Sequence, residues 1–290
     1  MQKGINAWCY PPSLSLKEVF SATKEAGFDT IELNMTEKSK NNIKKNFVDA
    51  ELNLSSGNFL TTDFSSAEIQ AIKSMSQTFN IPISSVSTSL HWDYPLNSIN
   101  EAMIEKGKNI AFKMIQACSL LGGDTILVVP GVVTEENDYE NSYQKSREAI
   151  KAIGKYAQKM NIKVGIENVW NKFLLSPLEM KKFIDEINNP NVGLYFDAGN
   201  VLQFGYPEQW VKILGEKIFK VHVKDFSKDI GNIHGFTNLL QGDINWKKLM
   251  WSLKRIKYQG PLTCELEPYR ENPVQLAVDT SHAMDYLLSL

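Results

Sequence analysis

Four β-rich segments in the C-terminal half each end in a side chain able to hold a metal ion: KVGIEN at Glu167, VGLYFDAGN at Asp197, KVHVKD at His222 and PLTCELEP at Glu265. Successive residues of a strand face opposite ways, so the phase of each segment can be read. Val164 and Ile166 form one set and Gly165 and Glu167 the other; Val192, Leu194 and Phe196 oppose Gly193, Tyr195 and Asp197. Val221 and Val223 likewise oppose His222, and Leu262 and Cys264 oppose Thr263 and Glu265. With the apolar sets turned toward covering helices, all four donors face the same interior. Two Glu, one Asp and one His make a hard, oxygen-dominated site with a single imidazole, which suits one divalent ion: Mn or Mg, or Zn or Co in expanded coordination. Glu267 is the rival of Glu265. It shares the phase but lies two residues further out and directly precedes Pro268, which suits a rim or substrate contact better than ligation.

Donors on four consecutive strands require a fold that brings strand ends to one place. Candidate strands are Gly4–Cys9, Thr30–Met35, Ile83–Ser89, Thr125–Pro130, Ile162–Asn168, Val192–Asp197, Ile218–Val223 and Leu262–Glu265. Helical patterns follow them at Leu16–Ala26, Ala67–Phe79, Asn100–Leu121, Ser142–Lys159, Pro177–Ile187, Pro207–Leu214, Trp246–Ile256 and Val274–Leu288. This alternation predicts an α/β protein, a (β/α)8 TIM barrel forming one domain over residues 1–290, with its active site at the C-terminal strand ends. An open doubly wound sheet is the runner-up, but no GxGxxG follows the first strand. The long connection Thr36–Phe64 reads as a small insertion before the third strand, of hairpin type.

The chain has 31 Lys and Arg against 33 Asp and Glu, for a net charge of −2. No basic excess exists to neutralise a nucleic-acid backbone or an anionic membrane. Cys9, Cys118 and Cys264 are far apart and odd in number, so they read as reduced thiols. With no signal-peptide pattern and no run of membrane-spanning length, a cytoplasmic location is expected.

Secondary candidates share the inward phase. Ser85, Ser87, Ser89 and His91 would aim His91 into the mouth, and Trp8 and Glu32 would supply an apolar wall and a hydroxyl acceptor. Asn168 and Trp170, just after a donor, would line the pocket. Lys224 and Asp225 fit either support of the metal ligands or a surface ion pair.

The segments GIENVWNKFLLSPLE, NVGLYFDAGNV, GEKIFKVHVKDF, LLQGDINW and YQGPLTCELEP, together with GINAWCY and EAGFDTIELN, resemble the sugar phosphate isomerase/epimerase family of xylose-isomerase-like barrels. Within it the chain is most similar to ketose 3-epimerases, including the L-ribulose-5-phosphate 3-epimerase type. The resemblance implies metal ligation by Glu167, Asp197, His222 and Glu265. It also implies a reaction on a ketose or ketose phosphate in which a metal-stabilised enediolate forms, with Glu167 and Glu265 removing and returning the proton. Asn200 stands where many members carry a substrate-binding histidine, and Lys228 where some carry arginine. Lys228 and His234, in the glycine-containing loop after the seventh strand, are therefore expected to grip a phosphate. The expected partner is a small sugar or sugar phosphate, neither nucleic acid nor membrane, with a homo-oligomer left open. Three other readings compete with it: an inosose-dehydratase-like lyase on the same site, a nuclease, and a non-catalytic sugar-binding barrel. The nuclease needs more histidines than the four present and a basic groove; the binding barrel is disfavoured because no ligand is missing.

Overall fold

The computed structural model describes residues 1–38 and 59–290. Its frame is a closed parallel barrel of β1 (Gln2–Asn6), β2 (Thr30–Thr36), β3 (Ile83–Thr88), β4 (Thr125–Val128), β5 (Lys163–Glu167), β6 (Val192–Asp197), β7 (Ile218–Val223) and β8 (Pro261–Cys264). Each strand pairs with the next, and β1 closes the ring by pairing with both β2 and β8. The helices are α1 (Leu16–Glu25), α2 (Ser66–Phe79), α3 (Glu101–Leu121), α4 (Tyr139–Lys159), α5 (Pro177–Ile187), α6 (Pro207–Leu214), α7 (Trp246–Arg255) and α8 (Gln275–Ser289). Local chemistry sets their ends. Ser15 with Glu18 and Ser65 with Glu68 form reciprocal capping boxes at α1 and α2. Pro177 and Pro207 open α5 and α6, where a missing N–H costs nothing.

The alternation of the strands divides the protein into two interiors. Ile5, Ile31, Leu33, Val86, Ile126, Val164, Ile166, Leu194, Phe196, Val221, Val223 and Leu262 are buried between barrel and helices in one continuous apolar core. Burial of each such side chain is worth about 1.5–3 kcal/mol. Inside the ring the composition is different: Asn6, Glu32, Asn34, Ser85, Ser87, His222 and Thr263 are all buried. A separate apolar cluster of Leu127, Val129, Val169 and Tyr195 sits among them. Glycine makes room for this filling, since a Cβ on Gly165 would lie 2.9 Å from the Cβ of Tyr195.

Three expectations change. The first strand ends at Asn6 rather than Cys9, because the Asn6 side chain accepts a 2.7 Å hydrogen bond from the Trp8 N–H and turns Ala7–Cys9 into a 3-10 helix. The third strand ends at Thr88, whose hydroxyl accepts from the Leu90 N–H and starts a short helix, Leu90–Asp93. Most of the insertion, and with it the expected hairpin, lies outside the described residues; its last part, Phe59–Thr61, pairs in parallel with β2. Among the described residues no helix is long and apolar enough to cross a membrane.

Candidate metal centre and sugar pocket

At the C-terminal mouth β5, β6, β7 and β8 bring Glu167, Asp197, His222 and Glu265 together, with one donor atom of each within 4.8 Å of all the others. Asp197 and His222 are direct register partners, and the backbone N–H of Glu265 continues the ladder to the Val223 carbonyl. The His222 Nδ1 lies 3.6 Å from a Glu167 oxygen, 3.6 Å from one of Glu265 and 3.9 Å from one of Asp197.

His222 is oriented from below. Its Nε2 bonds Glu32 Oε1 at 2.9 Å, while Glu32 also receives hydrogen bonds from Asn6, Ser85 and Tyr195. The other ring nitrogen, Nδ1, is buried without a hydrogen-bond partner and faces the three carboxylates. A buried, unpaired imidazole nitrogen beside three carboxylates is a donor set that suits a divalent ion. Charge agrees: with His222 neutral, as a ligand nitrogen requires, the Lys224 ammonium is the one positive charge set against the carboxylates of Glu32, Glu167, Asp197 and Glu265, so the cluster is net negative. The residues present therefore fit a divalent cation.

The environment separates the two glutamates. Burial pushes Glu167 up to about 7, helped by neighbouring Glu265 and opposed by His222. Burial acts the same way on Glu265, but the Lys224 ammonium and His222 outweigh it and hold that carboxyl down at about 2. Burial also raises Asp197, against the pull of Lys224.

Above the cluster opens a cavity of about 270 Å³ whose wall includes Trp8, Trp92, Trp170, Phe236, Asn200 and Lys224, with Glu167 and Glu265 at its base. Trp8 and Asn200 are both part of that wall. Glu267 is exposed and outside the wall, while Glu265 is in it.

Several expected contacts are corrected. Glu32 is fully buried beneath the cluster, and its oxygens are taken up by Asn6, Ser85, Tyr195 and His222, so it positions an imidazole rather than receiving a sugar hydroxyl. Asn168 spends its amide on the Asp197 backbone, donating to its carbonyl at 2.8 Å and accepting from its N–H at 2.9 Å. Lys228 and His234 are exposed and off the cavity wall. Asp225 is a fully buried anchor rather than a surface charge: its carboxylate accepts from the N–H groups of Phe226, Leu240 and Ile244 and from the Trp246 indole, which ties the two ends of the loop together, and it is Ile233 and Phe236 of that loop that line the cavity.

His91 falls out of strand phase because the chain has become helical there. Its ring is fully buried, with Nε2 donating to the Gly107 carbonyl at 3.3 Å and Nδ1 unpaired. Burial pushes it down to about 4, only partly offset by that carbonyl. An unfolded histidine titrates near 6.5. The unfolded chain therefore binds the proton more readily, so the contribution to stability is full above about 6.5 and is lost as pH falls toward 4, by up to ~3 kcal/mol. His91→Gln is expected to flatten this acid limb in melting temperatures recorded from pH 7 to 4; an unchanged slope would count against the assignment.

Tyr195, Lys224, Asp225 and Trp92 received no firm role from the sequence. Lys224 carried a usable signal, since it lies two residues after His222 and thus in the same inward phase.

Residues 20–289 match the family of xylose isomerase-like TIM barrels, and the chain belongs to that family. It is 24% identical over 288 residues to L-ribulose-5-phosphate 3-epimerase of Salmonella paratyphi A, covering 98% of this chain and 93% of that one. It is 26% identical over 213 residues to L-ribulose 3-epimerase of Methylomonas sp., covering 68% of each. D-allulose 3-epimerase from Methylomonas sp. shares the fold, with a TM-score of 0.74, 18% identity and coverage of 99% of this chain and 98% of that structure.

Proposed function

We propose that this chain is a divalent-metal-dependent isomerase or epimerase that moves a carbon-bound proton of a ketose. The observation that carries the reading is a Glu–Asp–His–Glu donor cluster whose two glutamates, Glu167 and Glu265, both line the same cavity. An epimerase or isomerase needs one group that removes a proton and one that returns a proton, and two carboxylates on one cavity supply that pair. A bound divalent ion would supply Lewis-acid polarisation of the substrate carbonyl and the adjacent hydroxyl. One of Glu167 and Glu265 takes the proton from the substrate carbon and the other returns one, Asp197 and His222 would complete the ligand set, and Glu32 holds the imidazole with Nδ1 turned toward the carboxylates.

The sugar is read as unphosphorylated. Among the described residues the cavity wall offers aromatic faces and a single cation, Lys224, which is already bonded to two carboxylates. The relatives named above act, by their names, on both a free and a phosphorylated ketose. Lys228 and His234, the groups expected to bind phosphate, lie elsewhere.

The test is exchange of the carbon-bound proton in deuterated water with Mn²⁺ present, for L-ribulose, D-allulose, D-fructose and L-ribulose 5-phosphate. Deuterium uptake into substrate and epimeric product is expected, with a free ketose preferred over the phosphate. A product lighter by one water would instead mark the lyase reading, and absence of exchange with every sugar would overturn the proposal.

A further inference from the structure

Removal of the substrate proton by one of Glu167 and Glu265 and its return by the other leave one buried group at the cavity base unused. Lys224 is 2.6 Å from Asp197 Oδ2 and 2.6 Å from Glu265 Oε2, and its side chain is itself part of the cavity wall. An ammonium carries three N–H donors. Two are taken by the carboxylates, and among the described residues no acceptor takes the third. The stem is held in place. It packs on Gly199, where a Cβ would lie 2.5 Å from Lys224 Cγ, and the Phe236 ring centroid is 5.1 Å from Nζ on the cavity side.

We propose that Lys224 is a further catalytic residue: two of its N–H groups hold Asp197 and Glu265, and the third binds the ketose oxygen that becomes negative as the neighbouring carbon is deprotonated. The inference rests on the isomerase or epimerase reading. The lysine donates a hydrogen bond and not a proton; the proton leaving carbon goes to one glutamate and the proton returning comes from the other, so Lys224 ends the cycle as it began. A fixed donor in a site sheltered from water stabilises developing charge without reorganising during the reaction. Asp197 and Glu265 fix this one by holding two of its three donors.

Lys224→Met and Lys224→Gln test it, with two measurements on each: Mn²⁺ affinity by titration of the protein alone, and kcat and KM for whichever of L-ribulose, D-allulose or D-fructose the wild type turns over. Both variants are expected to bind Mn²⁺ as tightly as the wild type or more so, since a cation competing for two ligand carboxylates is gone. At saturating Mn²⁺, kcat should fall about 10²–10³-fold for Met, and less for Gln, which keeps a neutral donor, with KM changed only a few-fold. A kcat within twofold of wild type at saturating Mn²⁺ in either variant overturns the proposal. So does weakened Mn²⁺ binding with kcat restored by excess metal, which would make the lysine a clamp for the ligands and nothing more. If the Met variant does not fold, the Gln variant decides by the same comparison. A wild type that turns over none of the sugars overturns the functional reading and this inference with it, whereas wild-type turnover with an unimpaired variant removes only the role of Lys224.

Discussion

Glu167→Gln and Glu265→Gln are each expected to lower turnover by about 10²–10⁴-fold, the range for loss of a positioned acid or base. The amide keeps an oxygen for the metal and nearly the same volume, so the cavity and the sugar's place in it should survive. What is lost is the ability to accept a proton. The two variants should differ in stability. Glu265→Gln replaces the charged acceptor of a 2.6 Å bond from buried Lys224 by a neutral amide, leaving Asp197 alone to balance the ammonium, whereas Glu167 makes no such contact with that lysine. The larger drop in melting temperature is therefore expected for Glu265→Gln. Steady-state turnover at saturating Mn²⁺, with sugar binding measured separately, checks the first point. Glu267→Gln is the control. Its side chain is exposed and off the cavity wall, so the rate should stay within about twofold of wild type. A dead Glu267 variant beside an active Glu265 variant would reverse the choice between them.

The second large effect is on the ion. His222→Ala is expected to weaken Mn²⁺ binding by more than about 100-fold, because it removes the one nitrogen donor of the cluster. It should also cost stability, since Glu32 is left fully buried with its cationic partner gone; breaking a buried pair costs on the order of 3–5 kcal/mol. Glu32→Gln separates the two consequences. It leaves every ligand in place but replaces the carboxylate that orients the imidazole, and affinity should fall about 10–100-fold. Metal titration and thermal unfolding of both variants check this. Full metal occupancy in the alanine variant, or unchanged affinity in the glutamine variant, would count against the ligand set or against the orienting role of Glu32.

The barrel, the eight strands and the four metal-competent residues were legible in the sequence because they follow from local rules. Alternation along a strand sends Val164 and Ile166 one way and Glu167 the other whatever the rest of the chain does, and α1, α2 and α5 carry their own start signals in Ser15, Ser65 and Pro177. Glycine and phase together also marked Gly165 and Tyr195 as interior. Contacts made only by closure of the ring had no such signature. Glu32 and His222 are 190 residues apart and meet across the barrel, so nothing near Glu32 distinguishes a histidine-orienting carboxylate from one that greets a sugar. His91 left its expected place because the chain turns helical at Leu90, where the Thr88 hydroxyl takes the Leu90 N–H, and Lys228 and His234 are exposed on a loop that sends Ile233 and Phe236 to the cavity instead. Strand phase tells which side of the sheet a residue faces. Which partner it finds there depends on how far the chain travels before returning, and that is decided only when the barrel closes and buried polar groups must satisfy one another.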